Sequence, residues 1–192
     1  SGSCSAMRRC FYCFQPIFSA RSGRVVAYEA LMRSDLPTLR SPATIMKLAR
    51  EQGALYEIER ITFTKALETF DSLCRAGSVS GDAMLFVNSI ANTCLSHEDG
   101  KYINSHWHEL CRRMVVEITE EEEIDYEALE RKRNAPGFSG MFALDDYGSG
   151  YSNGEYAIAA CTPVRQGGYY HHPWHRHLAG QAADPAQCGG LR

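Results

Sequence analysis

The chain has 192 residues, of which 44% are hydrophobic and 22% are charged, and its formal net charge is -3 with a pI near 6.2. This length is sufficient for one domain with a sizeable core. The mildly acidic balance argues against non-specific binding to DNA or RNA polymers and against a basic membrane-surface patch. No apolar stretch approaches the roughly 20 residues that span a bilayer, and the N-terminus lacks an apolar signal core, so the sequence predicts a cytoplasmic protein.

Eight cysteines lie at irregular intervals, and several fall within apolar segments. This distribution is typical of small buried thiols in a reducing compartment and not of a disulfide framework. Cys10 and Cys13 form a C-x-x-C pair, but no second pair follows that would complete a zinc site. The cysteines are therefore interpreted as packing residues.

In chain order, the first predicted elements are two strands and two helices. The strands are predicted at 14–19 and 25–32, with a Ser-Gly turn between them. Ser41-Pro42 then supplies an N-cap and a proline at the first helical position. A longer helix ends near Gly77, and its apolar residues recur every three or four positions at Ile58, Ile61, Leu67, Phe70 and Leu73.

The middle of the chain alternates strands and helices. The runs 83–87, 114–118 and 141–144 are continuously apolar or nearly so and short, which is typical of parallel strands covered on both faces. Helical stripes lie between them, one marked by Ile103, Trp107, Leu110 and Cys111, and one acidic helix at about 124–132. Strands and helices in this alternation predict a parallel α/β architecture.

Four polar residues interrupt or end these apolar strands. Glu29 is predicted near the end of the second strand, Asn88 directly after the third, Glu117 near the end of the fourth, and Asp145 at the end of the fifth. A single buried Glu or Asn is usually a hydrogen-bonded structural group, but four oxygen donors at one end of a sheet indicate a common site. In a βα-barrel the C-terminal strand ends form the mouth of the active site, and ligands that are all oxygen suit Mg²⁺ or Mn²⁺.

The adjacent carboxylates of Asp145 and Asp146 point to the same chemistry. They follow a buried strand and precede Tyr147-Gly148-Ser149-Gly150, and two such carboxylates repel each other unless a cation or a shared proton compensates. Taken alone, the same residues also suit a solvated turn. The four strand-end donors favour the metal interpretation.

Five motifs of the chain follow one another in a recognisable order and spacing. They are Gln15-Pro16-Ile17, Glu29-Ala30-Leu31-x-Arg33, Val87-Asn88, Glu117-Ile118-Thr119-Glu120 and Asp145-Asp146-Tyr147-Gly148-Ser149-Gly150-Tyr151-Ser152. Over about residues 12–153 they resemble the EAL domain, a family of bacterial phosphodiesterases that act on cyclic di-GMP. The resemblance implies an α/β fold, a TIM-like (β/α) barrel whose first strand is antiparallel.

The resemblance also implies roles for individual residues. Glu29, Asn88, Glu117 and Asp145 would be metal ligands, with Asp146 at a second metal, and Glu29, Asp145 and Asp146 would take part in catalysis. The two metals, Mg²⁺ or Mn²⁺, would polarise a phosphodiester and activate water, so that cyclic di-GMP is cleaved to linear pGpG. The remaining matched residues are Arg33, holding a substrate phosphate; Gln15 and Leu31, lining the substrate groove; and Glu120, bracing the loop that carries the aspartates.

After Asn153 the resemblance stops. The family continues with a strand that carries a catalytic Lys and an Asp, followed by three βα units with a further Glu and Gln, whereas this chain has no lysine beyond Lys132. Residues 154–192 show no sustained period of two or 3.6. If each codon is read from its second base, Val164-Arg165-Gln166-Gly167-Gly168 can encode Tyr-Val-Lys-Val-Asp, the expected strand motif. The tail is therefore predicted to be an out-of-frame translation.

These observations give three predicted segments: an N-terminal extension or tag remnant at 1–11, a partial EAL domain at 12–153 that is incomplete after the fifth strand, and a frame-shifted tail at 154–192. The leading functional hypothesis is a cyclic di-GMP phosphodiesterase whose hydrolysis is impaired in this chain. The alternatives are a non-catalytic module that binds cyclic di-GMP or a protein partner, and a disrupted gene product with no function. A homodimer is compatible with either of the first two hypotheses.

Overall fold

The computed structural model describes residues 9–39, 41–119, 125–135, 138 and 141–145. Within them five strands form one sheet in the order β1-β2-β3-β4-β5. The strands are β1 Cys10–Phe18, β2 Val25–Ser34, β3 Met84–Ser89, β4 Met114–Thr119 and β5 Met141–Asp145. The first strand pairs antiparallel to the second, and every later pairing is parallel. The predicted mixed sheet with an antiparallel first strand is confirmed.

Four helices accompany these strands, and a short 3-10 turn at Pro37–Leu39 precedes the first of them. The helices are α1 Pro42–Glu51, α2 Leu55–Arg75, α3 His97–Cys111 and α4 Tyr126–Arg133. Ser41 is the N-cap of α1 and Pro42 lies in its first turn, as predicted. Gly77, just beyond α2, has φ +70, a left-handed conformation that glycine adopts without steric cost.

The first two strands form a long hairpin that extends beyond its predicted ends. β1 begins at Cys10 instead of Phe14, and β2 continues to Ser34 instead of Met32. The strands are paired from Cys10 opposite Ser34 to Phe18 opposite Val25. The added part of β1 is itself apolar, with Cys10, Tyr12 and Cys13 buried, and its pairing with β2 satisfies the backbone hydrogen bonds.

One face of the sheet packs against the helices and forms the main core. From the strands, Phe14, Ala30, Val87 and Val116 lie on this face, and from α2 the residues Phe63, Leu67 and Phe70 are fully buried against it. Phe14 and Phe70 are in tilted ring contact at 5.3 Å between centroids. Of the stripe predicted for α2, Leu67 and Phe70 are buried against the sheet, whereas Ile58 and Ile61 pack in a second apolar cluster with Cys10.

The two cysteines of the C-x-x-C pair belong to opposite faces of β1, because side chains alternate along a strand. Cys10 packs in a second apolar cluster with Ile45 and Ile58 of the first two helices. Cys13 is also buried, and both thiols are free of disulfides. Residues three apart in a strand point in opposite directions, so the pair does not form half of a zinc site.

In the described ranges, no helix has the length and apolar content that crossing a membrane requires.

Candidate functional site

The backbone register brings the predicted metal ligands onto one face of the sheet, opposite the face covered by the helices. Glu29 of β2 pairs with Phe86, and Asn88 of β3, two residues further along, pairs with Glu117 of β4. Paired residues share a face, and so do residues two apart in one strand. Glu29, Asn88 and Glu117 therefore share this face on three adjacent strands.

Two of these side chains are in direct contact. The Asn88 side-chain amide Nδ2 donates a hydrogen bond to Glu29 Oε1 at 3.3 Å. Both residues are half-buried, and Glu117, beside Asn88 in the register, is only 2% exposed. Carboxylates withdrawn from water in this way need compensation by a partner or a cation, because burial disfavours the charged form.

The positions of two predicted ligands within their strands differ from the expected ones. Glu29 lies in the interior of β2, and Asn88 lies within β3 instead of directly after it. Asn88 lies within β3 because pairing with β4 continues through Ser89. For Glu29 the reason is the hairpin, since β2 pairs with β3 over Ala27–Ala30 and continues to Ser34 through its pairing with β1. Glu29 thus lies near the end of the parallel pairing, although it is not near the end of its strand.

The remaining acidic residues of the prediction are described only in part. Asp145 is the last residue of β5 and is paired with Thr119 of β4. Its backbone position is in register with the face that carries Glu117, because Ala143, two residues earlier, is the partner of Glu117. Asp146 and Glu120 lie outside the described residues. Their predicted roles in metal binding and in bracing the loop stay predictions.

The residues expected to contact substrate lie on the same face as Glu29. Gln15 of β1 is exposed and directly opposite Glu29, and Leu31 and Arg33 follow Glu29 at intervals of two residues along β2. Arg33 is half-buried and donates from Nη1 to the Met32 carbonyl oxygen at 2.8 Å. Four strand residues span about 13 Å, so Arg33 and Glu29 could touch an extended ligand at two separate points.

The donor set fits a hard divalent cation. Two carboxylates and one amide share the face, and oxygen donors of this kind suit Mg²⁺, Mn²⁺ or Ca²⁺ better than softer metals. In the parts of the chain that the structure describes, no three His, Cys, Asp or Glu side chains are close enough together to hold a metal ion. Asn88 would supply the third described donor here, through the carbonyl oxygen of its amide.

Sequence reasoning missed one polar cluster behind the site. Glu59 of α2 and Lys132 of α4 are both about 1% exposed and form an ion pair against the end of β3. A signal was present, because Glu59 lies between Ile58 and Ile61 on the apolar stripe of its helix. A charged residue on a buried stripe predicts a partner, although the stripe alone does not identify it.

Comparison with known proteins identifies the family to which the chain belongs. A sequence model of the EAL domain matches residues 5–160 of the chain. The chain belongs to the EAL domain family. No curated protein sequence matches it.

Solved EAL domain structures share the fold. The PaMucR phosphodiesterase in complex with c-di-GMP has a TM-score of 0.62 at 20% identity, over 81% of this chain and 65% of that one. The Bacillus subtilis YkuI protein, in complex with substrate c-di-GMP and calcium, has a TM-score of 0.58 at 25% identity, over 83% of this chain and 40% of that one. Klebsiella pneumoniae BlrP1, with manganese and cyclic di-GMP, has a TM-score of 0.58 at 21% identity, over 81% and 39%.

The chain spans less than two thirds of the length of each of these proteins. The predicted fold class is confirmed: the described strands form a mixed sheet of the EAL type, ending at the fifth strand. YkuI is in complex with c-di-GMP and calcium, and BlrP1 with cyclic di-GMP and manganese.

Proposed function

We propose that this EAL domain binds cyclic di-GMP through a divalent cation on the carboxylate face of the sheet, and that hydrolysis to linear pGpG is impaired in this chain. The observation that carries the proposal is the alignment of Glu29, Asn88 and Glu117 on three adjacent strands, with the Asn88 amide hydrogen-bonded to Glu29 at 3.3 Å. Membership of the EAL family and relatives that bind the dinucleotide with a divalent metal support it.

The residues of the site have distinct proposed roles. Glu29, Asn88, Glu117 and Asp145 would hold a divalent cation, with Asp146 at a second one. When bound, Mg²⁺ or Mn²⁺ would supply Lewis acidity toward the scissile phosphodiester. Arg33 would hold a substrate phosphate through its fork of N–H donors, and Gln15 and Leu31 would line the groove beside it. Glu120 would brace the loop that follows β5.

Impairment follows from the sequence after Asn153. The chain has no lysine beyond Lys132, so the lysine that the family uses in catalysis is not supplied by this sequence. Loss of a positioned acid-base group typically costs about 100- to 10,000-fold in rate. A chain that keeps the proposed metal ligands before Asn153 and lacks the lysine would bind the dinucleotide without hydrolysing it. This behaviour corresponds to the non-catalytic alternative.

The test combines a binding measurement with a product measurement. We expect isothermal titration calorimetry of the full chain with cyclic di-GMP to show binding in the micromolar range that requires Mn²⁺ or Mg²⁺, and anion-exchange chromatography to show no linear pGpG. Glu117→Gln should weaken metal-dependent binding by about 10-fold or more, because it removes a charged ligand. Glu130→Gln is the matched control, since Glu130 pairs with Arg133 on α4, away from the site.

Two results would contradict this proposal. Equal binding of cyclic di-GMP with and without a chelator would exclude the cation. Rapid formation of linear pGpG would show that the chain is a competent phosphodiesterase and that another group replaces the lysine.

A further inference from the structure

A buried ion pair joins two helices behind the third strand. Lys132 Nζ of α4 donates to Glu59 Oε1 of α2 at 2.5 Å, and both side chains are at most 2% exposed. The two residues are 73 positions apart in the chain, so the contact ties α4 to a helix formed much earlier in the sequence. Nothing in the proposed binding of cyclic di-GMP uses either side chain directly.

Both members of the pair bond to the two residues that follow Asn88. Ser89 Oγ donates to Glu59 Oε1 at 2.6 Å, and the Ile90 backbone N–H donates to Glu59 Oε2 at 2.9 Å. Lys132 Nζ donates to Ser89 Oγ at 2.6 Å and to the Ile90 carbonyl oxygen at 2.9 Å. The pair thus holds the Ser89 side chain and both backbone polar groups of Ile90.

Stability alone is a weak explanation for such an arrangement. Withdrawing two charges from water carries a penalty that their attraction repays only with good geometry, and apolar residues of the same volume often stabilise a core equally well. What an apolar pair cannot do is fix a hydroxyl, an amide N–H and a carbonyl oxygen in one orientation. The pair therefore specifies the conformation of the chain at the end of β3.

That conformation bears on the candidate metal site. Ser89 faces the helices and Asn88 faces the carboxylate side, because consecutive strand residues point in opposite directions. With Ser89 and Ile90 held from behind, the Asn88 backbone keeps the orientation in which its amide reaches Glu29. We propose that Glu59 and Lys132 are positioning residues, which orient Asn88 as a cation ligand by fixing the end of β3. This rests on the proposed function, in which Asn88 is a ligand.

The test separates metal affinity from stability by using the full chain and three variants. They are Glu59→Gln, Lys132→Met and the double variant Glu59→Gln/Lys132→Met. Mn²⁺ affinity is read from the free-ion signal in electron paramagnetic resonance, and stability is read from urea denaturation. Each single variant leaves one buried charge without its partner and should lose stability, whereas the double variant removes both charges and should recover part of it.

If Glu59 and Lys132 position Asn88, the Mn²⁺ affinity of the double variant should stay low even though its stability partly recovers. The double variant lacks the Lys132 bonds to Ser89 and Ile90, so Mn²⁺ binding should stay about 10-fold weaker than in the unmodified chain, a size typical of groups that orient metal ligands. Arg113→Met is the matched control, because Arg113 Nη1 donates to the Ala83 carbonyl oxygen at 2.5 Å, at the opposite end of β3. It should lower stability and leave Mn²⁺ affinity within about twofold, since the Asn88 end is untouched.

The outcomes are distinguishable. A double variant whose Mn²⁺ affinity returns together with its stability overturns the positioning role and leaves the metal site standing. If the unmodified chain binds no Mn²⁺, or binds it equally well after Asn88→Ala, the proposed metal site itself is wrong and the positioning role fails with it.

Discussion

At the residue scale, the central contact of the candidate site is the hydrogen bond from the Asn88 side-chain amide to Glu29. Glu29, Asn88 and Glu117 were expected together because each interrupts or ends an apolar strand. The register places the three residues on one face, and the Asn88–Glu29 hydrogen bond is a contact that spacing could not predict. Residues 59 positions apart meet only after the parallel crossover is formed.

Cys111 gives a prediction at this scale. It is fully buried at the end of α3, and burial raises the pKa of its thiol to about 11. Because the folded state holds the proton more tightly, the stability gained by burying the neutral thiol is complete below the unfolded pKa near 9 and is lost as the pH rises toward 11.

The free energy of unfolding of the natural chain and of Cys111→Ala should therefore converge as the pH rises. We expect their difference to shrink by an amount on the order of 2 kcal/mol between about pH 8 and about pH 11. Urea denaturation across this range measures it, and groups common to both proteins cancel. A difference that stays constant with pH would contradict the raised pKa.

At the element scale, α3 shows how a local signal and a distant contact combine. Ser96 is its N-cap: Ser96 Oγ accepts a hydrogen bond from the Asp99 backbone N–H at 3.1 Å. Tyr56 of α2 donates its hydroxyl to the Asp99 carboxylate and accepts from the Ser96 backbone N–H at 3.1 Å. The serine cap is readable from sequence, whereas the tyrosine comes from 40 residues away.

Replacement of the cap tests this element. Ser96→Ala should lower the free energy of unfolding by about 1 kcal/mol, because an orphan N–H of the first helical turn loses its acceptor. Ser105→Ala is the control, since the exposed Ser105 hydroxyl donates to the Tyr102 carbonyl within the same helix. That change should be neutral within about 0.5 kcal/mol, because alanine has the higher helix propensity. Equal losses in the two variants would show that Ser96 does not act as a cap.

The kink in α3 belongs to the same scale and was not predicted. Trp107 has φ -133 and ψ 40, which interrupts the helical geometry within His97–Cys111. The spacing of Ile103, Trp107, Leu110 and Cys111 predicted a regular stripe, and only Trp107 of these four departs from full burial. Periodicity reports which residues face the core and is insensitive to a local change of backbone angle.

At the scale of the whole molecule, the prediction concerns the chain after the fifth strand. Residues 154–192 lie outside the described part of the structure, and their interpretation as an out-of-frame tail stays a prediction. The predicted shift lies between about Asn153 and Ala157, and coding DNA read from the second base of each codon beyond it should replace residues 164–168 by Tyr-Val-Lys-Val-Asp. The protein to be tested is read in that frame to the frame's own stop codon, so that the three further βα units and their Glu and Gln, which the resemblance implies, are included. We expect this protein to produce linear pGpG from cyclic di-GMP with Mn²⁺ at a rate about 100-fold or more above the present chain.

The control for this experiment is the restored-frame protein in which the lysine codon at position 166 is changed to a methionine codon. This protein should still fold but should lose the gain in the rate of pGpG formation. The coding sequence also gives a direct answer. Stop codons, or a shifted reading without an apolar strand, would show that the tail is not a displaced EAL sequence.

The sequence by itself determined the family, the order of strands and helices, and the polar residues of the candidate site. It could do so because apolar periodicity and motif spacing are local properties of the chain. Tertiary structure decided how far β1 and β2 extend, which carboxylate meets Asn88, and that Glu59 and Lys132 meet behind it. These features depend on strand pairing and on helix packing between residues far apart in sequence, and the free energy of such contacts exists only once the fold has brought them together.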